Sequence, residues 1–100
     1  MSYDEIADTF RRRAIEFAPL KAKVLFDMGD DGAITVDATE TPPEVSEDSS
    51  DADCTIKVSA ENLEKLMAGA MNPTLAYTLG RLKIEGSMGL AMKVASLLDE

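Results

Sequence analysis

One hundred residues, 45% of them apolar, suffice for one domain with a modest core and are too apolar for a disordered chain. There is no histidine, no tryptophan and one cysteine, Cys54, which excludes imidazole-based triads, His-ligated metals, intramolecular disulfides, zinc knuckles and iron–sulfur clusters. A net charge of −9 with five aromatics argues against a grip on nucleic acid.

Taken in chain order, Ser2 and Glu5 predict a capping box. Ile6, Phe10, Ala14 and Phe17 recur at helical spacing and predict a first helix that Pro19 stops. The period then falls to two. Leu20, Ala22, Val24, Phe26 and Met28 predict a strand, Gly29-Asp30-Asp31-Gly32 a turn, and Ile34, Val36 and Ala38 the second strand of a hairpin. Residues 39–51 hold Pro42-Pro43 and five acids and read as a loop, with room for a short edge strand near Val45. Ala52, Cys54, Ile56 and Val58 predict another strand. Ser59 caps a helix carrying Leu63, Leu66, Met67 and Ala70. Asn72-Pro73 opens a short helix with Leu75, Ala76, Tyr77 and Leu79, ended by Gly80. Leu82 and Ile84 mark a last strand, and Gly86-Ser87 turns the chain into a final helix, Met88 to Leu98.

Each strand alternates apolar and polar residues, so the sheet has one wet face and one face under helices: an α+β two-layer domain spanning residues 1–100. Ten acids and no base lie between Asp27 and Asp53, while the remainder of the chain carries a net charge of +1. In the Arg11-Arg12-Arg13 run, Asp8–Arg12 and Arg13–Glu16 have helical pair spacing, so the run reads as a solvated face rather than a headgroup site. Asp27 to Ala38 mimics a calcium loop, but Gly29 and Ala38 stand where ligands are required. Cys54 alternates in phase with Ile56 and Val58 and reads as a buried thiol. No carboxylate pair is set against a nucleophile, so no enzyme mechanism, metal site or cofactor is expected.

The final helix is richer in apolar residues than one sheet requires. Leu90, Val94 and Leu97 form one stripe; Met88, Met92 and Ala95 form a second beside it. The second stripe must meet a partner protein, a membrane, or something apolar enclosed in the domain. Methionines at 67, 71, 88 and 92 suit either plain core filling or a wall that accepts varied apolar shapes.

Three segments carry a resemblance: Ala52-Asp53-Cys54-Thr55-Ile56, then Gly69-Ala70-Met71-Asn72-Pro73, then Gly80-Arg81-Leu82-Lys83-Ile84-Glu85-Gly86-Ser87-Met88-Gly89-Leu90-Ala91-Met92-Lys93. In this order and at this spacing they resemble the sterol carrier protein-2 family. The resemblance implies a mixed, mostly antiparallel sheet of four to five strands, helices covering one face, and an apolar cavity between the layers. It also implies a non-enzymatic carrier that holds a fatty acid, fatty acyl-CoA, phospholipid or sterol-like ligand in an apolar tunnel. On that basis Phe10, Phe17, Leu66, Met67, Met71, Leu75, Leu79, Met88, Leu90, Met92 and Leu97 are the expected wall. The chain departs from the family pattern in the acidic 39–51 segment and at Ser87, where eukaryotic members usually have asparagine. It also lacks their peroxisomal tail, which fits a short bacterial-type, cytoplasmic form with transient membrane contact. The competing expectation is an accessory interaction or homodimerisation module in a lipid or quinone pathway.

Overall fold

The computed structural model describes residues 3–48 and 51–98; the capping box at Ser2 lies outside them. Helix α1 spans Tyr3–Arg12 and buries Ile6, Ala7 and Phe10. It does not run on to Pro19. The proline ring would collide with the carbonyl four residues back, so the chain tightens into a 3-10 turn over Ala14–Leu20 with Pro19 inside it. An unbroken α-helix would set the Phe10 and Phe17 backbones about 10 Å apart along its axis. The break lets the two rings converge to 5.9 Å, and Phe10 lies 4.6 Å from Phe26 on the sheet.

Strands β1 (Lys23–Asp27) and β2 (Ala33–Asp37) form the expected hairpin, with Val24 opposite Val36 and Phe26 opposite Ile34. The edge strand near Val45 forms as β3 (Glu44–Ser46), antiparallel to β2. Strand β4 (Cys54–Val58) lies parallel to β1, and β5 (Leu82–Gly86) antiparallel to β4. The order is β3-β2-β1-β4-β5, a five-stranded mixed sheet with one parallel pairing.

That order corrects the expected wet face. β3 and β4 flank the β2–β1 pair, so the chain between them must cross the sheet. Asp48 lies on the face away from the helices: the Thr35 hydroxyl donates to its carbonyl at 2.6 Å. Thr35 and its partner Leu25 are thereby buried on a face that the alternation assigned to solvent.

The other face carries Val24, Phe26, Ile34, Val36, Cys54, Ile56 and Val58 into the core. Over it lie α1, the 3-10 turn, α2 (Ala60–Met67), α3 (Pro73–Thr78) and α4 (Met88–Leu98). The sequence starts these helices visibly. The Ser59 side chain accepts from the Asn62 amide at 3.1 Å, that of Asn72 from Leu75 at 3.0 Å, and that of Ser87 from Leu90 at 3.1 Å. Serine and asparagine cap equally well, so the Ser87 departure preserves the cap.

The arginine run keeps Arg11 and Arg12 exposed, as a solvated face, and its side chains pair within the chain. Arg11 binds Glu47 at 2.8 Å and Asp8 at 3.5 Å; Arg12 donates to Thr9 instead of pairing with Asp8; Arg13 holds Glu16 and reaches the Leu97 carbonyl at the end of α4. Cys54 is fully buried, and burial pushes its thiol pKa up. It should therefore resist aromatic disulfide reagents until the protein unfolds. Rapid stoichiometric labelling of the native protein would contradict this placement.

Candidate functional site

Between the β4–β5 end of the sheet and the last helices lies an apolar hollow of about 90 Å³. Its floor is Ile56, Leu82 and Ile84, which share one face of the paired strands. α2 contributes Leu66, α3 contributes Pro73, Thr74 and Tyr77, and α4 contributes Met88, Ala91, Met92, Ala95 and Leu98. No charged side chain lines it.

The positions follow from helical phase. On α4, Leu90, Ala91, Val94 and Leu98 are buried, and Met88, Met92 and Ala95 turn to the hollow. The second stripe of the final helix is thus the one that borders the apolar hollow, with Met88 and Met92 also exposed. The core stripe ends on Leu98, four residues after Val94, rather than on Leu97, which is half-buried.

The expected wall residues divide accordingly. Leu66, Met88 and Met92 line the hollow. The Phe10 ring packs against those of Phe17 and Phe26, and Leu90 packs in the main core, all away from it. Met67 is half-buried against the core. Met71, Leu75 and Leu79 lie in a separate groove on the other side of α3, with Lys65 and Arg81. The expectation had chosen walls from helices alone. The strand side of the site (Ile56, Leu82 and Ile84) was readable from strand phase: these residues alternate toward the helices. Ala91 and Ala95 were not readable, because small residues that make room look like ordinary helix filler.

The hollow is also smaller than the expected tunnel. Pockets that enclose ligands run to about 300–1,000 Å³. Apolar space without contents is costly, at roughly 24 cal/mol per Å³, so flexible walls close on it. Two of those walls are methionines, and a third is α3. That helix has a single buried residue, Ala76. It sits between Gly69 and Gly80, both at positive φ (74° and 76°) with open space where a side chain would stand.

Asp37, Glu40 and Glu44 bring carboxylate oxygens within 4.8 Å of one another at the β2–β3 connection. Thr39 already engages Asp37 through hydroxyl and amide and holds its carboxyl below the usual range, and Glu40 and Glu44 are exposed.

The family model described as the SCP-2 sterol transfer family matches residues 6–99. The chain belongs to this family. Over 46 residues it is 56% identical to Sterol carrier protein 2 of Rattus norvegicus, a stretch covering 46% of this chain and 8% of the rat protein. The chain thus aligns with under a tenth of that relative's length. Among solved structures it resembles the sterol carrier protein domain 2 of Helicoverpa armigera, with TM-score 0.71 and 25% identity, covering 95% of this chain and 80% of that one. It also resembles Sterol Carrier Protein 2 of Yarrowia lipolytica, with TM-score 0.77 and 21% identity, covering 93% of this chain and 86% of that one. SCP-2 membership gives the functional class, a lipid-binding or lipid-transfer domain. No helix among the described residues is long and apolar enough to cross a membrane.

Proposed function

We propose that residues 1–100 form one carrier domain that lodges the acyl chain of a fatty acid or acyl ester in the hollow and does no bond chemistry. The observation that carries this reading is the doubly apolar α4, whose surplus stripe faces a hollow lined without a single charge. The proposed wall is Ile56, Leu66, Tyr77, Leu82, Ile84, Met88, Met92 and Ala95. Each methylene removed from water contributes roughly 0.8 kcal/mol, so ten contribute about 8 kcal/mol before association costs.

A chain of that length needs more room than the hollow offers. We infer that α3 swings outward on Gly69 and Gly80 as the ligand enters, with Met88 and Met92 changing rotamer to fit it. An elongated acyl chain suits an expanding slot better than a rigid sterol does. A single buried thiol accords with work in the reducing cytoplasm.

The exposed apolar residues on α3 and α4 favour the second reading, a dimerisation or docking module. Titration of delipidated protein with a fluorescent fatty acid separates the two. The carrier reading expects saturable one-to-one binding at micromolar levels or tighter. Stable dimers with no saturable binding would replace it with the module.

A further inference from the structure

We propose that the open edge of β5 docks a second copy of this chain, the two β5 strands pairing antiparallel about a two-fold axis through Ile84 so that two sheets join. The inference stands apart from the carrier reading and requires no ligand.

β5 ends the strand order, with β4 as its one neighbour among the described strands. One step beyond that ladder the Ser87 amide donates to the Asp53 carbonyl at 3.1 Å. Hydrogen-bonded pairs alternate along an antiparallel ladder. Lys83 and Glu85 therefore turn their peptide groups toward β4, and Leu82, Ile84 and Gly86 turn theirs outward. Among the described residues nothing bonds to those outward groups. The opposite edge of the sheet is blunted. β3 has only the three residues Glu44–Ser46, follows Pro42-Pro43 and sits among Glu40, Glu44 and Glu47. β5 has five residues and no proline.

Charge complementarity makes a second copy the occupant. The strand reads Leu82-Lys83-Ile84-Glu85-Gly86. About an axis through Ile84, that residue exchanges two backbone bonds with its counterpart, and Lys83 of each copy faces Glu85 of the other. Moving the axis by one residue would set lysine against lysine or glutamate against glutamate. Leu82 and Ile84 line the hollow, so the Lys83 and Glu85 side chains lie on the sheet face away from the helices. Within one chain Lys83 stands directly opposite Lys57. Like charges so placed, about 5 Å apart at Cβ, destabilise a sheet. Lys57 binds Glu85 at 3.0 Å, and among the described residues no carboxylate pairs with Lys83. A second copy supplies that carboxylate. The axis stands perpendicular to the sheet, so both helical layers lie on the same side. Tyr77, Met88 and Met92, which border the hollow and are 45%, 45% and 57% exposed, then adjoin a second apolar surface instead of water. The acids beside β3 lie four strand spacings from β5, about 19 Å, more than twice the screening length of about 8 Å at physiological salt. They therefore oppose the contact only weakly, despite a net charge of −9.

Sedimentation equilibrium at rising concentration tests the proposal. The wild-type chain is expected to pass from monomer to dimer in the micromolar range, with hydrogen exchange of the Ile84 amide slowed in the dimer. Lys83→Glu and Glu85→Lys each set like charges opposite one another across the axis, and each variant alone should dimerise about tenfold more weakly. Mixed in equal amounts, the two variants restore both opposite-charge pairs and should form a heterodimer about as tight as the wild-type dimer. Both positions are exposed and lie outside the hollow, so circular dichroism should show each variant folded. A wild-type chain that stays monomeric at about 1 mM would overturn the inference and leave the edge to an extended peptide of another protein. Dimers in which the Ile84 amide exchanges freely would overturn it too. So would single variants that associate as wild type does, or a mixture that associates no better than either variant alone.

Discussion

Gly86→Ala is expected to cost about 2–5 kcal/mol, the sum of placing a side chain in the left-handed region and of overlap with rigid neighbours. Gly86 ends β5 at φ 92°, and a Cβ built there would stand 2.5 Å from the Asp53 carbonyl oxygen and 3.3 Å from Cys54 Cα. That backbone has little freedom to retreat. The Asp53 amide donates to the Lys23 carbonyl at 2.9 Å, its carboxylate accepts from the Lys23 amide at 2.9 Å, and its carbonyl accepts from Ser87 at 3.1 Å. The loss is a large share of the roughly 5–15 kcal/mol that holds a small domain together. Because Ser87 caps α4, the strain also disturbs the helix that forms half of the hollow. Gly89→Ala is the control: Gly89 lies in the first turn of α4 with nothing within 4 Å of its missing Cβ. It should be neutral or stabilising by up to about 1 kcal/mol. Urea unfolding of both variants measures the contrast, and similar midpoints would refute this view of the β5–α4 junction.

Ala95→Phe is expected to raise stability while weakening ligand binding. Ala95 is half-buried and lines the hollow. Filling about 90 Å³ recovers at most about 2 kcal/mol at the cavity coefficient of roughly 24 cal/mol per Å³. That corresponds to a rise of several degrees in Tm for a domain of this size. The same ring displaces a ligand from the space of about three methylenes, which at roughly 0.8 kcal/mol each weakens fatty-acid affinity about fiftyfold. Opposite signs in stability and affinity separate a filled site from a damaged fold. A variant that gains stability and binds fatty acid as wild type does would show that the ligand lies elsewhere.

Much of this architecture was legible in local patterns. The Ser59 and Asn72 caps, the period-two strands and the Gly29–Gly32 turn each name their own structure, and all three survive folding. The end of α1 was misplaced because helical spacing continues in sequence beyond Arg12, while the chain itself tightens ahead of Pro19. The buried Leu25–Thr35 pair was not legible, because it depends on Asp48 lying over that face of the sheet. That is a long-range fact of strand order. The site was legible by half for the same reason. The methionine stripe on α4 announced an apolar surface without naming what it faces. Phe10 and Phe17 looked equally suited to a wall and became core because the break after α1 brings them together over Phe26. Leu75 and Leu79 share the short α3 with Tyr77 but lie on its far side. A helix of six residues is too short for its periodicity to reveal which face looks inward.

The most direct test is an isotope-filtered NMR measurement of a carbon-13-labelled fatty acid bound to the delipidated protein. Contacts are expected from the acyl methylenes to Leu66, Met88, Met92 and Ala95, with shifts at the Gly69 and Gly80 amides as α3 moves. Acyl contacts confined to Leu75 and Leu79 on the outer side of α3, with Gly69 and Gly80 undisturbed, would contradict the claim that the hollow opens to take the chain.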